Sequence, residues 1–99
     1  MRDYELMVVV NPDIVEEALT ATIEKVNQSI VGMGGTVTEV NQLGRRRLAY
    51  PINHFEEGNY ILTRFKLEPG LAAEVESGLL LSTDILRHLL IRLGEEETD

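Results

Sequence analysis

Three consecutive arginines, Arg45-Arg46-Arg47, run into Leu48-Ala49-Tyr50 and are the residues of this chain best suited to chemistry with a ligand. Neighbours on an extended chain point to opposite sides, so three adjacent arginines cannot all face a core. Guanidinium groups bind phosphate through paired N–H donors and stack on exposed bases. Tyr50 adds a flat aromatic surface close by. Two readings stay open: an anion-binding segment, or a charged edge that blunts strand-to-strand aggregation. The chain has 17 acids, nine bases and a net charge of −8. Against that background, three arginines without an acid among them favour an anionic partner.

Catalytic constellations are missing from the sequence. There is no cysteine, and the two histidines, His54 and His88, fall in different elements without ligand or triad spacing. Gly32-Met33-Gly34-Gly35 follows a helical pattern, whereas a phosphate-cradling loop precedes one. The acid pairs Glu16-Glu17 and Glu56-Glu57 read as solvated surface. No enzyme, metal site or cofactor is expected.

The elements that position these residues follow from periodicity. Asp3 to Val10 reads as a strand with Tyr4, Leu6, Val8 and Val10 on its more apolar face, closed by Asn11-Pro12. Asp13 and Glu16 have capping-box spacing. Val15, Leu19, Ile23, Val26 and Ile30 then recur at helical spacing and are expected in the core. Gly32, Gly34 and Gly35 end that helix. A second strand runs from Thr36 to Ile52 with a break at Gly44, and His54–Gly58 is a polar turn. Asn59 to Leu67 is a third strand, with Ile61, Thr63, Phe65 and Leu67 on one side and Tyr60, Leu62, Arg64 and Lys66 on the other. Pro69-Gly70 opens a second helix carrying Leu71, Val75 and Leu79. Ser82-Thr83-Asp84 is a loop before a last strand, Ile85 to Leu93.

Strand, helix, strand, strand, helix, strand is the order of an α+β ferredoxin-like fold, the split βαβ sandwich: a four-stranded antiparallel sheet with two helices on one face. The handedness of the crossovers leaves the other face bare. His88, Leu90 and Arg92 are assigned to that open face together with Leu62. Exposed Leu62 and Leu90 would mark a partner surface.

Ninety-nine residues make one domain, here residues 1–93. Residues 94–99, with Glu95, Glu96, Glu97 and Asp99, read as an acidic disordered tail. No stretch approaches a membrane span, and Met1-Arg2-Asp3-Tyr4-Glu5 is unlike a secretion signal.

The run Gly44 to Ile52, with Leu48-Ala49-Tyr50 at its centre, resembles the signature of the bacterial ribosomal protein S-six family. The opening Met1-Arg2-Asp3-Tyr4-Glu5-Leu6 with Asn11-Pro12 is similar to that family's start, and Ile85-Leu86-Arg87-His88-Leu89 to its last strand. The resemblance implies a structural protein of the cytoplasmic small ribosomal subunit. It would bind the central domain of small-subunit ribosomal RNA together with the basic protein S-eighteen, as a heterodimer. It would be monomeric when isolated, without membrane or small-molecule partners. Candidate RNA contacts carried over by position are Arg2, Tyr4, Arg45, Arg46, Arg47, Tyr50, Arg64, Lys66, Arg87, His88 and Arg92. Tyr4 also fits a core role, on the apolar side of its strand. Tyr60, Leu62 and Leu90 are the candidate partner-protein surface. The rival reading is a self-associating ligand-binding module that pairs through its open sheet; it would have a mass near twice 11.1 kDa. A stand-alone RNA-recognition module would need paired aromatics on its central strands, where only Tyr60 is found.

Overall fold

The computed structural model describes residues 1–93, so the acidic segment 94–99 lies outside the described residues. The elements are β1 (Arg2–Val10), α1 (Glu16–Gly32), β2 (Thr36–Ile52), β3 (Phe55–Leu67), α2 (Ala72–Leu79) and β4 (Ile85–Arg92). A short 3-10 turn at Pro69–Leu71 leads into α2. The sheet order is β2-β3-β1-β4, every neighbouring pair antiparallel, which is the ferredoxin-like arrangement the element order predicts.

One side of the sheet is covered. Tyr4, Leu6, Val8 and Val10 of β1 and Ile61, Thr63, Phe65 and Leu67 of β3 are buried there. Val26 and Ile30 of α1 and Val75 and Leu79 of α2 close over them. Leu19, Ile23 and Leu71 pack around this core, half-buried. The alternation along β1 and β3 thus predicts their inward residues correctly, because the charged residues Asp3 and Glu5 of β1 and Arg64 and Lys66 of β3 all fall on the other side.

The start of α1 differs from expectation. Asn11 Oδ1 accepts the Asp13 N–H at 2.8 Å, and the Asn11 carbonyl accepts the Ile14 N–H at 3.2 Å. That turn occupies residues 11–14, so Val15, not Asp13, holds the cap position, and no side chain caps the helix. Val15 is 67 % exposed, and Ile14 packs on the core in its stead. The other end follows the glycines. Gly34, at φ +86°, bonds the Val31 carbonyl at 3.0 Å and Gly35 bonds that of Ile30 at 2.9 Å. This is the paired C-terminal closure that a left-handed glycine permits.

The β2–β3 hairpin is longer than expected. Asn53 and His54, at φ 48° and 72°, form a two-residue turn whose twist suits a hairpin. β3 therefore begins at Phe55, and Phe55–Gly58 belongs to the strand, not to a turn. Gly44, at φ +86°, sits at a register shift after Gln42, the bulge at the expected break. The last residue of β1, Val10, pairs with Asn59. Residues 45–58 consequently project past β1 as a two-stranded ribbon, a form that twists strongly. Gly58 is buried where the ribbon leaves the sheet. A Cβ there would overlap Val9 Cγ1 and stand 3.5 Å from the Val10 carbonyl and 3.6 Å from Leu48 Cδ2.

Two stability outcomes follow. Val15→Ser supplies the absent cap and should stabilise the protein by about 1 kcal/mol in urea unfolding; no gain would mean that the helix does not start there. Gly58→Ala should cost about 1–3 kcal/mol through overpacking. Combining it with Val9→Ala should cost less than the sum of the two single changes, and simple additivity would show that the close approach is absent.

Candidate nucleic-acid interface

The three arginines lie on the ribbon. Arg45 pairs with Asn59, Arg46 with Gly58 and Arg47 with Glu57 across the two strands. Directly opposite residues share a side. Arg45 and Arg47 therefore lie with Glu57 on the continuation of the helix-covered face, and Arg46 on that of the open face. Arg45 Nε stands 2.5 Å from Glu57 Oε1, and Arg47 Nη2 3.8 Å from Glu56 Oε1. Both pairs are solvent-exposed, the Arg47 and Glu56 side chains at 82 % and 72 %. Arg46 Nε reaches only the Leu43 carbonyl, at 3.5 Å. Among the described residues, Arg46 is thus the arginine of the triplet that no carboxylate balances. The ribbon carries three guanidinium groups against two carboxylates, an excess of one positive charge near its root.

The open face of the sheet is built from the other side of the strands. Met7 of β1, Tyr60 and Leu62 of β3, and Leu89 and Ile91 of β4 lie on it. Leu89 and Ile91 are exposed, at 53 % and 41 %. Arg64 lies on this face between two acids, its Nε 3.0 Å from Glu5 Oε2 and its Nη1 3.5 Å from Glu39 Oε1. Asn41 Nδ2 donates to the second oxygen of Glu39. The face therefore combines an apolar middle with a cluster of one base and two acids.

The last strand has the opposite phase to the expected one. His88 pairs with Val8, Leu90 with Leu6 and Arg92 with Tyr4, all inward positions of β1. Leu90 packs against the core, and His88 Nε2 stands 4.0 Å from Glu76 Oε2 on α2. Neither is on the open face. The reason lies in the composition of β4, which is apolar on both sides. Leu90 and Leu89 are equally plausible inward residues until the register with β1 chooses between them. Leu89 and Ile91 were missed for this reason; only the pairing with Met7 and Glu5 places them outward.

The remaining candidates separate into distinct places. Tyr4 is buried, its ring stacked on Phe65 with centroids 5.5 Å apart, so its core role is the one realised. Arg2, Lys66 and Arg92 lie level with the start of β1, opposite Leu67, Asp3 and Tyr4 respectively, with Lys66 on the open face and the other two on the covered side. That end is about 26 Å from the ribbon end of β1 at about 3.3 Å per residue. Arg87 is on the open face and donates from Nη1 to the Tyr50 hydroxyl at 2.6 Å. The structure therefore brings Tyr50 and Arg87 together but does not gather all the bases into one patch. Glu5, Glu39, Glu56 and Glu57, which compensate four of the arginine contacts, carry no signal in the sequence beyond being acids.

Among the described residues no cluster of three or more His, Asp or Glu could hold a metal, and no helix is long and apolar enough to cross a membrane. A family model described as ribosomal protein S6 matches residues 3–92. The small ribosomal subunit protein bS6 of Moorella thermoacetica is 46 % identical over 97 % of this chain and 98 % of that protein. The bS6 protein of Desulforamulus reducens is 43 % identical over 96 % of this chain and all of its own length. The crystal structure of 30S ribosomal protein S6 from Thermotoga maritima has a TM-score of 0.91 at 28 % identity, covering 98 % of this chain and 92 % of that one. With its fold, its arginine ribbon and its full-length likeness to these proteins agreeing, the chain belongs to the ribosomal protein S6 family, structural and non-enzymatic constituents of the cytoplasmic small ribosomal subunit.

Proposed function

We propose that the chain binds the central domain of small-subunit ribosomal RNA jointly with the basic protein S-eighteen, using the ribbon for RNA and the open sheet face for the protein. The observation that carries the RNA half is the projecting ribbon with Arg45, Arg46 and Arg47 exposed at its root, where it leaves the sheet. Exposed guanidinium groups there can bind phosphate and stack on the unpaired bases of an RNA loop. Phosphate can replace Glu56 and Glu57 at Arg47 and Arg45, because exposed ion pairs are held weakly. Arg46 offers its charge without such an exchange. Arg2, Lys66 and Arg92 stand at the far end, Lys66 on the open face and the other two on the opposite side of the sheet, and are candidates for separate phosphate contacts.

The protein half rests on the composition of the open face. Met7, Leu62, Leu89 and Ile91 give it an apolar centre, and Glu5 and Glu39 outweigh Arg64 beside it. Tyr60 and Leu62 remain in the partner surface, and Leu89 and Ile91 take the place of Leu90. The apolar centre suits a partner with apolar contacts, and the Glu5–Arg64–Glu39 cluster suits a base of that partner, while Arg87 and Lys66 lie elsewhere on the same face. A chain of −8 repels RNA at long range and attracts a basic protein, so the heterodimer should form first and present the joint RNA surface.

The test is titration of a central-domain RNA fragment with the chain, with and without S-eighteen, at several salt concentrations. Tight binding is expected only with the partner. Arg46→Ala should weaken it and reduce the log–log salt slope by about 0.7–0.9, one phosphate's share. Glu56→Gln with Glu57→Gln should strengthen RNA binding, since those carboxylates compete with phosphate. Absence of RNA binding under either condition, together with a homodimeric mass, would overturn the reading in favour of the self-associating module.

A further inference from the structure

β2 and β4 are the two edges of the sheet, separated by β3 and β1. Yet Tyr50 near the end of β2 and Arg87 of β4 are in hydrogen-bond contact, at 2.6 Å. The guanidinium carbon lies 5.8 Å from the centroid of the same ring. The contact exists because the ribbon, released from the sheet beyond Val10 and seated on Val9 at Gly58, twists across the open side towards the far edge. Beneath it lies a pit of about 210 Å³ lined by Met7, Val9, Tyr60, Arg87, His88 and Leu89. Arg87 thus belongs both to the wall of the pit and to the contact that holds the ribbon. Its partner there is a neutral hydroxyl, and among the described residues no carboxylate pairs with it.

We propose that Arg87 is a positioning residue, which through Tyr50 latches the arginine ribbon across the open sheet face, so that filling the pit and presenting the ribbon to RNA are one coupled equilibrium. The inference rests on the reading of the ribbon as the RNA site and the open face as the partner site. An apolar side chain of the basic partner, seated against Met7, Val9 and Leu89, removes the room into which the Arg87 side chain would otherwise turn. Arg87 is then held towards Tyr50 and the ribbon keeps the pose shown here. A ligand shifts an equilibrium only by its preference for one state. The pit supplies that preference, since it is complete only with Arg87 in its wall. By reciprocity, RNA on the latched ribbon tightens the partner's binding by the same factor.

The experiment uses the full chain and the variants Tyr50→Phe, Arg87→Met and their combination. Amide hydrogen exchange on the free protein reads the latch without RNA. Residues 45–58 should exchange faster in each variant while β1 and the inner part of β3 keep their protection. The double variant should be no worse than either single one, as two ends of one contact require. Titration of the central-domain RNA fragment with and without S-eighteen then reads the coupling. The ratio of the two affinities should fall by about fivefold or more in each variant, with the salt slope of the complex unchanged. Unaltered exchange in the ribbon would overturn the latch. A salt slope reduced by one phosphate in Arg87→Met, with the ratio intact, would make Arg87 a direct RNA contact and overturn the proposal. Failure of the unsubstituted protein to bind RNA at all would sink the functional reading, and hydrogen exchange would still decide the latch.

Discussion

Pairing of β1 on both edges, to β3 and to β4, sets the rest of the molecule. With β3 it makes nine consecutive pairs without a shift, and with β4 seven, shifted between Val9 and Val10. A strand held on both edges cannot slip by one residue without turning Tyr4, Leu6, Val8 and Val10 from the core to water. Burying one such side chain is worth about 1.5–3 kcal/mol, so four of them choose the register decisively. Both helices close over the face those residues define. The opposite face is open by the same geometry around Met7, Leu89 and Ile91, while Val9 is covered where Gly58 of the ribbon lies on it.

The ribbon is a consequence of where β1 stops. Pro12 has no N–H to give a ladder, and Asn11 turns the chain through its own side chain. β2 and β3 continue beyond that point with only each other for a partner. A pair of strands alone twists more than a sheet does, and Gly58 lets it lie close on Val9 as it goes. The arginines therefore lie where the ribbon leaves the sheet, just past the end of β1. The excess charge at Arg46 stands at the root of that ribbon, opposite Gly58, and so is removed along β3 from the acids around Arg64.

Charge on this protein is local and mostly compensated. Arg45, Arg47 and Arg64 each have a carboxylate within 4 Å, and all these pairs are exposed or half-exposed. Such pairs add little stability but do determine which guanidinium groups a ligand must compete for. That distinction divides seemingly equivalent arginines into different roles. Among the described residues Arg46 has no carboxylate partner, Arg64 sits between two acids on the open face, and Arg87 contacts Tyr50 of the ribbon from the far edge.

The sequence alone determined the order of elements, the inward faces of β1 and β3, the glycine closure of α1 and the arginine segment as the likeness to a ribosomal family. These are short-range properties, because period-two and helical patterns are set by neighbours along the chain. The phase of β4, the exposure of Val15 and the carboxylate partners of the arginines were decided only by the tertiary structure. β4 is apolar on both sides, so nothing in its own residues selects Leu90 over Leu89; its register against Leu6 and Met7 does. Tyr4 satisfied two readings until Phe65 covered it. Glu57 is an ordinary surface acid until the hairpin sets it opposite Arg47 and beside Arg45. Cross-strand register is a relation between distant residues, and it decides here which charges are free and which faces are bare.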